Sequence, residues 1–273
     1  GQLWFRIPEI IQIRLEGEAP EGVYPKDVIL TVLGKIRADG AVYKAIDFTG
    51  SYVENLGVAG RMVICNMAVE MGAKTAYMQP NQEVLDYVSK RASGPFQAET
   101  TDPGYEYGEQ YIFDVSSMEP QLACPSSVEN VHPLREVTSS GTVKLNQGYI
   151  GSCTGGRVED FEIAAKILKG RHIPEYTRLV IVPASREVML ECMEKGYIQD
   201  LMEAGATITT PGCGACLGAH EGILAPGEVC ISSTNRNFPG RMGSRDAQIY
   251  LASPAAVAAS MVNGWITDPR EFL

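Results

Sequence analysis

The segment QGYIGSCTGGRVEDFEIAAKILKGRHIPEYTRLVIVPA, residues 147–184, decides the fold class. Its first residues predict a strand that ends near Cys153, and the apolar spacing that follows predicts a helix ended by Gly170. The β-branched run TRLVIVPA predicts a second strand. Because strand, helix and strand in this order form a βαβ unit, we expect a mostly parallel sheet.

The same alternation continues on both sides of this segment. Downstream we predict two short helices ended by glycine, then two strands and a closing helix, in SREVMLECMEKG, YIQDLMEAG, ATITTPG, EVCISST and SPAAVAASMVNG. Upstream, strands EIIQIRLEGE, YKAIDFTG, KTAYMQ and QYIFDVSS alternate with helices PKDVILTVLGKIRADG, VAGRMVICNMAVEMG and NQEVLDYVSKRAS. The fold class is therefore α/β.

The chain divides in the middle. Residues 93–109 are loop-like, and the stretch from Glu119 to Gly148, with prolines at 120, 125 and 133, is expected to be irregular. We place a domain boundary there, giving α/β domains over 1–125 and 126–273, each a mixed or parallel sheet with flanking helices.

Composition excludes several classes of protein. The net charge of −10 lacks the basic footprint of a nucleic-acid binder, and no apolar run is long enough to span a membrane. The start of the chain shows no secretory signal, and seven cysteines, an odd number, favour free thiols or metal ligands over a disulfide framework. We therefore expect a cytoplasmic protein without nucleic-acid or membrane partners.

Three cysteines stand out by their position. Cys153 follows one predicted strand of the second half, and Cys213 and Cys216 follow another, all in glycine-rich turns. Because ligand sites of open α/β sheets form beyond the carboxyl ends of strands, these thiols are expected at one edge. The other four, Cys65, Cys124, Cys192 and Cys230, lie in apolar patterns typical of buried thiols.

Four interpretations of the Cys213-x-x-Cys216 pair are open on the residues alone. It could be a redox pair, although such pairs usually open a helix. It could be half of a structural zinc site with His220, although no second pair is present. It could be two small core thiols, or it could join Cys153 in holding an iron–sulfur cluster with one open iron.

Several segments together resemble the aconitase superfamily. GSCTGGRVEDFEIAA, PGCGACLG and STNRNFPGRMGS are similar to its two cluster segments and its arginine segment, and YLASPAAVAAS to the stretch that follows. LWFRIPE, VYPKDVIL, GRMVICNMAVEMGAK and PASREV resemble the large subunits of 3-isopropylmalate dehydratase and homoaconitase. The resemblance covers essentially the whole chain in order and implies an aconitase-like fold.

The resemblance implies a function. It implies a [4Fe-4S] cluster on Cys153, Cys213 and Cys216, which can be lost in an aerobic preparation, in a hydro-lyase that isomerises 2- and 3-isopropylmalate in leucine biosynthesis. Homoaconitase, or another 2-hydroxy-di- or tricarboxylate dehydratase, is the first alternative, and a non-catalytic metal-binding module is the second. A small subunit would supply the catalytic base, a serine, and the specificity loop.

Two departures from the family pattern are visible. Gly155-Gly156 follows Thr154 where the family has Asn and then Ser or Gly, so an amide beside the first cysteine is absent. Large subunits of the family also begin before LWFRIPE, with His and Asp residues of the active site in that earlier portion. We therefore expect the isolated chain to be inactive.

Two further groups are candidate site residues. Asn66 and Glu70, spaced i and i+4, would share one helix face, with a solvated Glu70 pairing with Lys74 as the alternative. Asn235, Arg236 and Arg241 follow a strand end, where guanidinium groups suit carboxylates, although isolated loop arginines are usually exposed.

By resemblance, these residues have roles. Glu70 contacts the water or hydroxyl at the open iron, Asn66 and Asn235 lie beside the cluster, and Arg236 and Arg241 hold substrate carboxylate. Arg245 is a weaker candidate. Ser185 is expected to cap a helix, and Asp47 and His132 to be structural.

Overall fold

The computed structural model describes residues 1–273, which form two sheets with flanking helices. The first sheet has four parallel strands in the order β3-β2-β1-β4. The strands are β1 (Ile10–Glu16), β2 (Ala45–Thr49), β3 (Thr75–Met78) and β4 (Glu109–Asp114), and the helices are α1 (Pro25–Ile36), α2 (Ser51–Glu54), α3 (Val58–Met67) and α4 (Gln82–Ser89).

Alternation along β1 explains why the first sheet is covered by helices on one face. Ile11, Ile13 and Leu15 are buried, whereas Arg14 between them is exposed. Successive side chains of a strand point to opposite faces, so one face packs onto the apolar sides of α1 and α3. The second face carries polar side chains, among them Asp47 of β2.

The second sheet has seven strands in the order β6-β5-β11-β10-β7-β8-β9. Its strands are β5 (Gln121–Ala123), β6 (Val131–Pro133), β7 (Gln147–Gly151), β8 (Arg178–Val182), β9 (Thr207–Ile208), β10 (Val229–Ser232) and β11 (Gln248–Leu251). Its helices are α5 (Leu134–Ser139), α6 (Val158–Leu168), α7 (Arg186–Glu194), α8 (Tyr197–Glu203) and α9 (Pro254–Asn263). Five consecutive strands, from β11 to the edge strand β9, pair in parallel, and β5 pairs antiparallel with both β11 and β6, which confirms the α/β class.

The stretch from Glu119 to Gly148 differs from the prediction. It contains β5, β6 and α5 rather than only irregular chain, and β11 also lacked a sequence prediction. Strands of three or four residues are too short to show a period of two, so only their pairing with neighbours defines them.

The two sheets share interior contacts. One apolar cluster of 35 buried residues joins the first sheet and its helices to Tyr149, Val180 and Leu251 of the second sheet. The sheets change between Asp114 and Gln121, and Gln121 N donates to Asp27 of α1 at 2.9 Å. The domain limit at residue 125 stays a prediction. None of the helices has the length and apolar character that crossing a bilayer requires.

Candidate functional site

The candidate site lies at the carboxyl edge of the second sheet. Because β7, β9 and β10 run in one direction, the turns that follow them emerge at the same edge. These turns carry Cys153, the Cys213–Cys216 pair and Asn235. Sequence alone indicated this convergence of elements, and the sheet topology provides it.

The turn after β7 is held in an unusual backbone conformation. Ser152 has a φ of 63°, in the left-handed region that non-glycine residues rarely adopt. A side chain at Gly151 would place its Cβ 2.3 Å from the carbonyl oxygen of Val182, so only glycine fits there. This tight turn leaves the Cys153 thiol exposed at the sheet edge.

The turn after β9 is fixed by a buried tyrosine. The Tyr149 hydroxyl donates to the carbonyl oxygen of Cys213 at 2.7 Å. Gly214 has a φ of 51°, and a Cβ there would lie 2.9 Å from that hydroxyl. The turn continues as a 3₁₀ helix, Gly214–Leu217, with Cys213 exposed and Cys216 buried.

The donor chemistry of these three thiols fits an iron–sulfur cluster. All are free, and no group of three His, Cys, Asp or Glu side chains is close enough to bind one metal ion. Thiolates around one zinc ion would each lie about 2.3 Å from it. Soft thiolates are the ligands that iron–sulfur clusters take.

Two asparagines connect the sheets beside Cys153. Asn235 Nδ2 donates to Asn66 Oδ1 at 2.7 Å, and the Cys153 sulfur lies 3.7 Å from that oxygen and 3.9 Å from Asn235 Oδ1. The Thr154 hydroxyl also donates to Asn235 Oδ1. Asn66 comes from α3 of the first sheet, so the surroundings of Cys153 draw on both sheets.

Glu70 forms the second connection. Arg236 Nε lies 2.8 and 2.9 Å from the two Glu70 oxygens, and the terminal nitrogens of Arg236 donate no hydrogen bond within the chain. The Glu70 side chain is only 8% exposed. Burial raises the pKa of Glu70, and the Arg236 charge opposes this shift.

Glu70 is not on the helix that the spacing predicted. The α-helix ends at Met67 and continues as a 3₁₀ turn, Ala68–Met71, in which residues three apart align. The pairing of Glu70 with Lys74 was wrong, because Lys74 lies over the Tyr43 ring at 4.8 Å instead.

Arg241 and Arg245 differ sharply in environment. The Arg241 Nε is buried without a hydrogen-bond partner, and its guanidinium lies 5.6 Å from the centre of the Phe238 ring. The Arg241 charge also lowers the pKa of Glu70, although less than Arg236 does. Arg245 is exposed. Arg241 therefore offers an unused donor near Glu70, and Arg245 faces solvent.

Steric crowding explains why position 155 is a glycine. A Cβ at Gly155 would lie 2.1 Å from the Ser233 hydroxyl. Ser233 occupies this space because its hydroxyl accepts from Gly151 N at 2.9 Å. Ser233 thus takes up the volume that a side chain at position 155 would need.

Sequence reasoning missed Lys26. This lysine, in the first turn of α1, is 2% exposed and donates to the carbonyl oxygens of Ser233 at 2.8 Å and Thr234 at 2.6 Å. A cation in the first turn of a helix is disfavoured by the helix dipole. A lysine directly after Pro25, in the first turn of the predicted helix, was the signal that sequence reasoning could have used.

The remaining predicted residues behave as follows. Ser185 caps α7 by accepting from Val188 N, as expected. Asp47 accepts from the Tyr107 and Thr101 hydroxyls and has one buried oxygen without a partner. His132 lies 3.0 Å from the Asn130 side chain.

Comparison with known proteins gives a family. The model of the aconitase family (aconitate hydratase) matches residues 1–264. The chain is 50% identical over 273 residues to the 3-isopropylmalate dehydratase large subunit 1 of Methanopyrus kandleri, covering all of this chain and 65% of the relative. It is 50% identical over 272 residues to the probable methanogen homoaconitase large subunit of Methanothermobacter thermautotrophicus, covering 99% and 63%.

A solved structure, the holo form of aconitase X from Thermococcus kodakaraensis, is 12% identical with a TM-score of 0.44, over 85% of this chain and 50% of that one. The chain spans less than two thirds of the length of the first two relatives. On the family match and these identities, the chain belongs to the aconitase family.

Proposed function

We propose that this chain is the cluster-binding part of a hydro-lyase large subunit that interconverts 2- and 3-isopropylmalate in leucine biosynthesis. The observation that carries the proposal is the Glu70–Arg236 pair, which joins the two sheets at the edge that bears three free thiols. A buried carboxylate next to a guanidinium with unused donors suits a substrate with carboxylates and a hydroxyl group.

Cys153, Cys213 and Cys216 would hold the [4Fe-4S] cluster. When bound, the cluster supplies a Lewis acid that polarises the oxygen of the departing hydroxyl. Arg236 would bind a substrate carboxylate through its terminal nitrogens, and the Arg241 guanidinium would bind a second one. These contacts fix the orientation of the carbon skeleton between departure and return of water.

Glu70 would move a proton at the substrate hydroxyl oxygen. Its raised pKa keeps the proton-bearing and ionised forms closer in free energy than in an exposed glutamate, which suits a group that gives and takes a proton in one cycle. Asn66 would hold the Asn235 side chain and so keep the loop with Arg236 against Glu70.

A second chain would provide the base that removes the carbon proton. Two relatives at 50% identity are named large subunits, which supports a small-subunit partner. The proposed partner carries the serine base and the loop that selects the substrate, as the sequence resemblance implies.

Homocitrate, the 2-hydroxy acid whose dehydration gives homoaconitate, is the second candidate substrate. A relative with the same identity of 50% is named a homoaconitase large subunit. Both candidates are 2-hydroxy acids with several carboxylates, so Arg236 and Arg241 would serve either one.

Anaerobic reconstitution tests the proposal. The full-length protein should take up about four irons and four sulfides per chain, as a [4Fe-4S] cluster requires. It should then hydrate isopropylmaleate, or homoaconitate, in the presence of a candidate small subunit. Cys153→Ser, Cys213→Ser and Cys216→Ser should each lose the cluster, and Cys192→Ala, which changes a buried thiol of α7, should keep it.

Two outcomes would refute the proposal. Stoichiometric zinc without iron would favour a non-catalytic metal-binding module. A protein that takes up the full cluster but turns over neither substrate, in any pairing with candidate small subunits, would support cluster binding and refute the proposed reaction.

A further inference from the structure

Lys26 is a buried cation in an unfavourable position. It is the second residue of α1, where the amide dipoles already favour negative charge, and it is 2% exposed. Burial lowers the pKa of its ammonium group to about 8, and the charges of Cys216, Cys153, Asp160 and Glu70 oppose this shift. A group kept in such a place needs strong local partners.

Its partners are all in the two loops of the candidate site. The ammonium donates to the carbonyl oxygens of Ser233 and Thr234 at 2.8 and 2.6 Å, and the Thr154 hydroxyl lies 3.5 Å away. Lys26 forms no salt bridge. An ammonium that only balanced charge would pair with a carboxylate, whereas this one binds loop carbonyls.

These contacts lie directly beside the site residues. Ser233 and Thr234 precede Asn235 and Arg236, and Thr154 follows Cys153. Both carbonyl oxygens point to one ammonium group, which fixes the two peptide planes and hence the direction of the next side chains. The Thr154 hydroxyl in turn donates to Asn235 Oδ1, and Asn235 donates to Asn66 at 2.7 Å.

We propose that Lys26 is a positioning residue that holds the loop after β10 so that Asn235 and Arg236 face Asn66 and Glu70. The importance of this positioning for turnover rests on the proposed function. The positioning itself does not require a cluster. Lys26 reaches from the helix of one sheet to the loops of the other, across 207 residues of sequence.

Amide hydrogen exchange of the intact protein tests the positioning, with and without the cluster. In Lys26→Met, segments 152–156 and 233–237 should exchange roughly 10- to 100-fold faster, as expected when a hydrogen bond to a charged group is lost. Lys26→Arg, which keeps the charge and the donors, should restore part of the protection. Lys35→Met removes an exposed ammonium from the same helix and should change neither segment.

A second readout follows the loaded protein. Lys26→Met should lower kcat/KM by roughly 100-fold, the effect of a displacement of about 1 Å at reacting groups, and should alter the visible circular dichroism of the cluster. If Lys26→Met does not fold, Lys26→Gln, which keeps a polar donor group, replaces it. Lys26→Gln should show the same changes with a smaller magnitude.

The outcomes separate the two proposals. Exchange in Lys26→Met and Lys26→Gln that is unchanged in both segments, or raised equally throughout the chain, would overturn the positioning role. A wild-type protein that takes up no iron would overturn the proposed function, whereas local loosening of the two segments would still support Lys26.

Discussion

At the scale of single residues, the site depends on positions where a side chain cannot fit or cannot reach water. Gly151 and Gly155 lie against Val182 and Ser233 so closely that any Cβ would collide. The Glu70 side chain is 8% exposed and pairs with Arg236. Sterics at the glycines set the path of the cysteine turn, and burial sets the chemistry of the carboxylate.

Gly155→Ala should destabilise the protein through contact with Ser233. We expect a decrease in the free energy of unfolding of about 1–3 kcal/mol, as for other overpacked sites. In a Ser233→Gly background the same change should have a smaller effect, because the obstructing side chain is gone. Chemical denaturation of the four proteins gives the coupling energy, and additive effects would contradict the steric explanation.

The pH dependence of turnover should reflect Glu70. As a base, Glu70 acts in its ionised form, so activity is lost as pH falls through its pKa, which burial places above the ordinary glutamate value. Removing the opposing positive charge raises this pKa further. Arg236→Gln should therefore move the acidic limb of the kcat/KM profile to higher pH. An acidic limb that stays in place or moves to lower pH would be inconsistent with this role for Glu70.

At the scale of elements, helices and strands followed local patterns where the segments were long enough. The helices α1, α6 and α9 and the strands β1, β7 and β8 appear where spacing and turn residues predicted them. The exceptions are the short strands β5, β6 and β11, the short helix α5 and the last turn of α3, whose form depends on neighbouring elements. Long-range hydrogen bonds also hold these elements together, and those of Arg61 are an example.

Arg61→Met should loosen α3 from its neighbours. The buried Arg61 guanidinium donates to the carbonyl oxygens of Leu56, Val53 and Gln79 at 2.7, 2.5 and 2.9 Å, which links α2, α3 and the end of β3. We expect the free energy of unfolding to fall by about 2–4 kcal/mol, because two buried carbonyl oxygens and one part-buried one lose a charged donor.

The control is Arg37→Met. The Arg37 side chain is 64% exposed and pairs with Glu129 at the surface, so its loss should change stability by less than about 1 kcal/mol. Equal effects of the two substitutions in urea denaturation would show that the buried contacts of Arg61 contribute nothing beyond a surface pair.

At the scale of the whole molecule, the site lies where two sheets meet. One asparagine pair and one ion pair join α3 and the 3₁₀ turn after it to the loop after β10, and Lys26 adds a third link from α1. A ligand held at this edge would bind residues of both sheets, so binding and the packing of the sheets should be coupled.

Cluster loading should therefore raise thermal stability. A group that binds only the folded state adds RT ln(1 + [L]/Kd) to the free energy of unfolding, about 4 kcal/mol at 1,000 times Kd. The unfolding midpoint of the anaerobically reconstituted protein should exceed that of the stripped protein, and Cys216→Ser should abolish the difference. A midpoint unaffected by loading would indicate that the thiols bind nothing that depends on the fold.

The sequence by itself determined most of the longer strands and helices, the α/β class and the placement of three thiols after strand ends, because these follow from periodicity and turn chemistry over a few residues. Only the tertiary structure decided that Asn235 binds Asn66, 169 residues away, that Arg236 rather than Lys74 pairs with Glu70, and that Lys26 is buried among loop carbonyls. Such partners depend on how two sheets pack, and no local pattern contains that geometry.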